Sequence, residues 1–485
     1  MNQAIKELHI LFISAEADPL VKIGGLGDVA GTLPIAINRI ASNLDHKVEV
    51  RVAVPYHQTI KDKHFPITSI GSYLLESGKG LEEVQVYKYI SNGTVYYLLD
   101  GKPIQISPVP YSNDQKADAE KYTFFSLAAI HLPEFLNWPV NILHANDWHT
   151  ALSVYALKKI KGNIKPEIKT ILSVHNLPFM GNGMEETEKE YGIPEYLHPH
   201  LPVWARLLPL PMGLASADLI IPVSPGYANE IQTSEFGCGL ENLLAYRNNH
   251  IVGILNGIDT STWDPGSDSF IHSKFDSSTI HLKEKNKVTL QKQLSLNIDP
   301  KIPLLAIISR LDYQKGIDLL VDGLYKLAKE IKWQCIFLGS GDPYLEMRIR
   351  TLQNDKPDQV RCTFGYDNTL AHQIYAGADI FLMPSRYEPC GISQMISQRY
   401  GTIPIARATG GLVDTIINTT ERNPGSGYFF EDLNATVFAS KLTRAISDYQ
   451  NHHLWTSMMD IAMKMDFSWE ISAQKYIDEY QHLME

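Results

Sequence analysis

Several short segments of this chain gather charged, aromatic and imidazole side chains just where an apolar run ends. The first is Lys22-Ile-Gly-Gly-Leu-Gly-Asp28, which leads straight into a helical pattern. Glycines such as Gly24 and Gly25 let a backbone approach a ligand closely, and the first N–H groups of a helix attract an anion. Lys22 and Asp28 add a cation and an acceptor to the same turn. A strand-to-helix turn also needs glycine for packing alone, and the spacing is not the G-x-G-x-x-G of dinucleotide folds. In Asn146-Asp147-Trp148-His149 the indole can lie on a sugar face and the carboxylate can accept hydroxyls. Capping of a helix by Asp147 or Thr150 would explain part of that run without a ligand. His175, at the end of another apolar run, can meet a sugar hydroxyl or developing charge, or can simply cap a loop.

In the second half, Arg310 and Lys315 lie close together in Ser309-Arg310-Leu-Asp-Tyr-Gln-Lys315-Gly316, before a helix start. Two cations there repel one another unless an anion such as a diphosphate lies between them, the alternative being a pair of solvated surface charges. Tyr366 offers a ring on which a base can stack, or serves as core. Glu388 belongs to Pro384-Ser-Arg-Tyr-Glu388-Pro-Cys390-Gly391-Ile-Ser393-Gln394. A carboxylate at a helix start can interact with the helix dipole, but its convergence with Arg310 and Lys315 favours a sugar-binding role. No HExxH, strand-flanked DxD or His/Cys cluster occurs, so neither a metal nor another cofactor is expected. Cations of the protein must then stabilise any leaving phosphate.

The elements that position these groups follow from the spacing of β-branched runs. Residues 9–16, 48–55, 141–147, 170–176 and 217–224 each read as a buried strand, and helical patterns over 26–41, 121–136 and 150–160 lie between several of them. That alternation predicts a parallel, doubly wound sheet. Residues 83–90 and 94–100, joined by Ser-Asn-Gly, read as a hairpin decorating it. The pattern restarts at 251–257 and continues through 303–311, 334–341, 360–366, 378–385 and 402–408, predicting a second doubly wound domain and a boundary near His250. The polar stretch 260–279 reads as an inserted loop. In such sheets ligands bind beyond the carboxyl ends of the strands, which is where the unusual residues cluster.

Length and composition agree with this organisation. A chain of 485 residues exceeds one ordinary core, and 44% apolar with 20% charged residues is the balance of a globular protein. The net charge of -11 disfavours nucleic acid and anionic membranes as partners. Cys238, Cys335, Cys362 and Cys390 have no CxxC spacing, which suits a reducing cytoplasm. Glu7 before a short apolar run gives no signal peptide, and no run reaches the roughly 18 apolar residues of a membrane span.

Taken together, Lys22 to Asp28, Asn146 to His149, Val174-His175-Asn176-Leu177, Ile254-Leu255-Asn256-Gly257-Ile258-Asp259, Ser309 to Gly316 and Pro384 to Gly391 closely resemble the motifs of bacterial glycogen synthases and plant starch synthases, in family order over essentially the whole chain. The resemblance implies the GT-B fold, with two Rossmann-like domains facing across a cleft. Residues 1–250 would form the acceptor side, 251–465 the nucleotide-sugar side, and 466–485 a helix returning to the first domain. It implies retaining glucosyl transfer from ADP-glucose to an α-1,4-glucan, with UDP-glucose or a small sugar acceptor as the alternatives. An inactive glucan-binding homologue is the reading from another class, and the presence of Lys22, His175, Arg310, Lys315 and Glu388 argues against it. By motif position Arg310 and Lys315 would bind the diphosphate, Tyr366 the adenine, and Glu388 with Cys390, Gly391 and Ser393 the glucose. His175 would face the glucose 6-hydroxyl. Lys22, Gly24, Gly25, Asp28 and Asn256 would complete the donor contacts, and Asp147, Trp148 and His149 lie on the acceptor side. Three places depart from the family pattern: Met395-Ile396 for Leu-Tyr, Ala408 for an arginine, and Ile392-Ser393 for Leu-Thr.

Overall fold

A computed structural model describes residues 7–42, 47–160 and 167–485 of the chain. The N-terminal reading concerns in part residues 1–6, which lie outside the described residues. The chain forms two units, 1–256 with 469–485, and 257–468.

The first unit is built on an eight-stranded sheet. Its strands are β1 (Leu8–Ile13), β2 (Val48–Pro55), β3 (Thr68–Ser77), β4 (Gly80–Ser91), β5 (Thr94–Asp100), β6 (Ile142–Asn146), β7 (Lys169–Val174) and β8 (Leu219–Pro222), in the order β3-β4-β5-β2-β1-β6-β7-β8. From β5 to β8 all neighbours pair in parallel. Parallel strands are covered on both faces, which is why β1 ends in a continuous apolar run: Ile10, Leu11, Phe12 and Ile13 are all fully buried. The β4–β5 hairpin is an integral part of this sheet, not an added decoration, because β5 also pairs with β2 through Val52–Tyr96 and Val54–Leu98. Its turn places Asn92 and Gly93 at positive φ (48° and 77°), the conformation that an Asn-Gly hairpin turn requires.

The helix Gly25–Ala41 lies against the C-terminal helix Trp469–His482. Trp469, Ala473, Tyr476, Ile477 and Tyr480 join Phe12, Val29, Leu33 and Ile37 in one core. Burying such large apolar side chains stabilises the unit by roughly 1.5–3 kcal/mol each. Tyr480 also meets His144 Nδ1 at 2.8 Å, and His144 Nε2 meets Ser173 Oγ at 2.8 Å, so even the polar atoms of this core are paired.

The second unit carries six parallel strands: β9 (Leu304–Ile308), β10 (Gln334–Gly339), β11 (Val360–Phe364), β12 (Ile380–Met383), β13 (Ile403–Arg407) and β14 (Tyr428–Phe430), in the order β11-β10-β9-β12-β13-β14. Residues 251–257, read from sequence as the opening strand of this sheet, lie elsewhere. Ile251 bridges Ile220 of β8, and the N–H of Ile254 donates to the carbonyl of Pro222 at 3.0 Å. A short apolar run suits an extended sheet neighbour as well as a core strand, so its hydrophobicity could not decide which sheet it would join. The loop 260–279 is anchored in the second unit: Asp268 accepts from Tyr400 at 2.6 Å and lies 2.7 Å from His372 Nδ1, while Trp263 stacks on His372.

Both sheets follow the doubly wound order, in which successive strands run outward one way and then the other. The reversal falls between β1 and β6 in the first unit and between β9 and β12 in the second. At such a switch point the loops leaving the carboxyl ends diverge and leave room for a ligand.

Candidate functional site

At the switch point of the first unit, the chain leaving β1 carries Glu16, whose carboxylate is 1% exposed. Its Oε2 accepts from the N–H of Gly24 at 3.2 Å and, more closely, from that of Ile23, while Tyr111 donates to Oε1 at 2.8 Å. Burial pushes the Glu16 carboxyl upward, and these three donors oppose that shift. From sequence, the first N–H groups of this helix could favour an anion, or the glycines could serve packing alone. At Gly24 the N–H is taken by an internal carboxylate. Lys22 pairs with Asp28, so the two charges flanking the turn also meet each other. The glycine that close packing demands is Gly27, where a Cβ would approach Glu16 Oε2 at 3.0 Å and Lys22 Cα at 3.1 Å. The segment leading to Tyr111 is held by Lys121, a fully buried ammonium that donates to the carbonyls of Val109 and Pro110 at 2.7 and 2.9 Å and to Asp118 at 2.7 Å.

The chain leaving β6 makes a second fixed point. Asp147 adopts φ 55°, ψ -173°, a region that non-glycine residues seldom enter and that costs of order 1–3 kcal/mol. Its backbone caps the helix Trp148–Tyr155, but its side chain does not. Oδ1 instead accepts from the N–H groups of His175 and Asn176 at 2.7 and 3.3 Å. His175 Nε2 lies 3.0 Å from Asn146 Oδ1. Burial raises the Asp147 pKa, and burial lowers that of His175 against the pull of Asp147. His149 is buried between Tyr111, Tyr122 and Trp148, its pKa driven down chiefly by desolvation. Of the three residues assigned to the acceptor, Trp148 alone keeps part of its surface open. Asn256 follows the extended segment beside β8 and is buried, with Oδ1 unbonded.

In the second unit the loops after β9 and β12 touch. Gly316 caps the helix Ile317–Tyr325 at φ 66°, and a Cβ there would lie 2.0 Å from the carbonyl oxygen of Pro384, so only glycine fits. This close approach brings Lys315 Nζ to 2.9 and 2.6 Å from the two oxygens of Glu388, and Ser385 donates to Oε2 at 2.9 Å. Glu388 is buried, while the Lys315 side chain retains 19% of its exposure. Arg310, 64% exposed, pairs with Asp312 at 2.8 Å and donates to Gln314 at 3.1 Å. Mutual repulsion between Arg310 and Lys315 is therefore relieved by a separate carboxylate for each, where the sequence left a choice between a shared anion and solvated surface charges. Glu388 likewise is not at a helix start: the helix begins at Ser393, and the carboxylate faces Lys315.

Gly391 takes φ 73°, and Gln394 Nε2 donates to the carbonyls of Cys390 and Gly391 at 3.1 and 2.9 Å, which fixes the loop carrying Glu388. Arg386 grips Asp318 through both guanidinium nitrogens at 2.8 and 2.7 Å and lies over the ring of Tyr313. Met395 and Ile396, two of the positions that depart from the family pattern, are buried in the core. Tyr366, after β11, is 80% exposed, and its hydroxyl donates to Asn368 at 2.9 Å.

Sequence reasoning missed Glu16, Tyr111, Lys121 and Asn146 as parts of these arrangements. The one available signal for Glu16 was an acidic residue closing the apolar run 9–16. Among the described residues no three or more His, Cys, Asp or Glu side chains are grouped to hold a metal ion, and no helix is long and apolar enough to cross a membrane.

Residues 9–246 match the family described as starch synthase catalytic domain, and residues 290–457 match glycosyl transferases group 1. The chain is 36% identical to a glycogen synthase of Lactobacillus acidophilus, covering 98% of this chain and 100% of that protein. It is 38% identical to a glycogen synthase of Lactococcus lactis, with the same coverage of each. Among solved structures it is similar to the catalytic domain of starch synthase IV from Arabidopsis thaliana bound to ADP and acarbose, with a TM-score of 0.86, 29% identity and 99% of both chains covered.

Proposed function

Because this chain belongs to the glycogen and starch synthase family of GT-B glycosyltransferases, we propose that it transfers glucose from ADP-glucose to the non-reducing end of an α-1,4-glucan, with retention of configuration. The observation that carries this reading is the Lys315–Glu388 pair at the switch point of the second sheet. An ammonium beside the first turn of a helix suits a diphosphate, and a buried carboxylate next to it suits sugar hydroxyls. ADP in the starch synthase IV structure supports an adenine nucleotide, with UDP-glucose as the alternative donor.

In this reading the second unit is the nucleotide-sugar side. Arg310 and Lys315 hold the diphosphate, Tyr366 stacks on the base, and Glu388 with the Cys390, Gly391 and Ser393 segment binds the glucose. As phosphate arrives, Lys315 exchanges a carboxylate for a phosphate oxygen, which frees Glu388 for hydroxyls. From the first unit, Lys22, the Gly24-Gly25 turn, Asp28 and Asn256 are assigned to the donor, and His175 to the glucose 6-hydroxyl. Trp148, flanked by Asp147 and His149, is assigned to the glucan. The bond from the anomeric carbon to the diphosphate breaks as the acceptor 4-hydroxyl attacks from the same face, and the departing phosphate oxygen takes the hydroxyl proton. No protein nucleophile is then required, and cations supply the charge stabilisation. A cytoplasmic setting is part of this proposal, supported by four free cysteines.

Nucleotide release from ADP-glucose and from UDP-glucose, with glycogen present and absent, tests the reading together with product analysis. Glycogen-dependent ADP release with α-1,4 elongation supports it. Release from UDP-glucose alone overturns the donor, and glycogen binding without release from either donor overturns the reaction.

A further inference from the structure

Asn146 is fully buried at the end of β6, and the two ends of its amide face groups of opposite kind. One end lies 3.0 Å from the carbonyl oxygen of Ile13, which can only accept, so that end is the NH2 group. The other, Oδ1, lies 3.0 Å from His175 Nε2. Turning the amide over would set two acceptors against each other at Ile13, so its orientation is fixed. The ring nitrogen that faces Oδ1 must then carry a hydrogen.

We propose that Asn146 is a positioning residue that fixes His175 as the Nε2–H tautomer, leaving Nδ1 as the ring's acceptor for a hydroxyl of the donor sugar. The proposal rests on the assignment of His175 to the donor glucose made above. Its ring then accepts a hydrogen bond and is not a proton donor to the departing phosphate. The backbone of His175 is held by the next residue, since Asp147 Oδ1 takes the N–H groups of His175 and Asn176. Two consecutive residues thus fix both the ring and the main chain of His175, and Asp147 accepts a strained φ to do so. The titratable groups acting on the ring or sensing its charge are Asp147, His144 and His149. Burial lowers the His175 pKa and keeps the ring neutral near pH 7, the state in which the choice of tautomer decides what it can do.

The test uses the full chain labelled with nitrogen-15 at histidine, with the His175 signals identified by their loss in His175→Gln. The wild type is expected to be protonated at Nε2 and unprotonated at Nδ1. Asn146→Ala removes the acceptor, so both tautomers should appear, and kcat should fall about ten-fold, the scale of one hydrogen bond. A wild-type ring protonated at Nδ1 would overturn the proposal, as would an Asn146→Ala enzyme that keeps a pure Nε2–H ring. Should Asn146→Ala fail to fold, the wild-type spectrum decides by itself. Absence of glucosyl transfer by the wild type counts against the proposed reaction, whereas the tautomer is read independently of activity.

Discussion

In the first unit the turn after β1 is closed by Glu16, a buried carboxylate that spends its lone pairs on the backbone N–H groups of Ile23 and Gly24 and on the hydroxyl of Tyr111. In the second unit the turn after β9 exposes side-chain cations, and each is met by a side-chain carboxylate: Arg310 by Asp312, Lys315 by Glu388. Both arrangements occupy the same topological point of a doubly wound sheet. They differ in what can be exchanged. Glu16 is itself buried and held by three donors, so it cannot be exchanged for an outside anion without leaving a buried charge unpaired. An ammonium can trade one anion for another, provided that the buried Glu388 it leaves finds hydroxyl donors in exchange. Glu16 holds the shape of its turn, whereas the ion pairs Lys315–Glu388 and Arg310–Asp312, like Lys22–Asp28 beside Glu16, can change partners.

The largest test of that contrast removes the exchangeable cations. Arg310→Ala or Lys315→Ala should lower kcat by about 10²–10³-fold or more, the scale of losing a charge-stabilising donor. The far-ultraviolet spectrum should stay unchanged. Near-normal turnover in either variant would show that the cations are ordinary surface charges.

The same contrast extends to pH. His57 and His144, buried in the first unit, have their pKa lowered to about 3, chiefly by desolvation. Between about 3 and the ordinary histidine value near 6.5 the unfolded chain binds more protons. Stability from these groups is therefore complete above that value and is lost as pH falls toward 3. Lys283, buried in the second unit, lies within hydrogen-bond distance of the carbonyls of Tyr375, Ala376 and Tyr400 and of Thr402, and desolvation lowers its pKa to about 7. Its contribution is complete only above the ordinary lysine value near 10.5 and is lost as pH falls toward 7. Hydrogen exchange followed by mass spectrometry should show protection rising with pH from 3 to 6.5 in the first unit and from 7 to 10.5 in the second. Indistinguishable windows would remove this part of the contrast.

A smaller effect probes the fixed turn itself. Glu16→Ala leaves the N–H groups of Ile23 and Gly24 without their acceptor, and kcat/KM for the donor should fall about ten-fold. Glu16→Gln keeps one acceptor oxygen and should recover part of the loss. Equal losses in the two variants would mean that the charge, not the hydrogen bonds, holds the turn.

How much of this was legible beforehand depends on the distance over which each feature is encoded. Continuous apolar runs such as 304–308 and 380–383 announce parallel strands, because both faces of such strands are buried, and the switch points follow from strand order. That Arg310, Lys315 and Glu388 gather at strand ends was likewise visible. That Lys315 and Glu388 bond to each other was not, since they are 73 residues apart and Gly316 meets Pro384 only in three dimensions. Glu16 carries no spacing signature, and the left-handed backbone of Asp147 leaves no trace in residue type. Residues 251–257 were assigned to the wrong sheet because a short apolar run does not say which sheet it will join.

The weakest expected effect lies at the most open of the proposed donor contacts. Tyr366 is 80% exposed, and its hydroxyl is taken by Asn368 at 2.9 Å, so only the ring faces are available to a base. Stacking of that kind contributes about 0.5–1.5 kcal/mol beyond area burial. Tyr366→Ala should therefore raise KM for ADP-glucose about five-fold at unchanged kcat, the pattern of a contact made equally in ground and transition states. Stability should move by no more than about 0.5 kcal/mol, as for other exposed positions. Tyr366→Phe keeps the ring and should bind the donor normally. If Phe instead behaves as Ala does, the hydroxyl carries the contact, Asn368 must yield it to the donor, and the second unit exchanges hydrogen-bond partners here just as it exchanges ionic ones at Lys315.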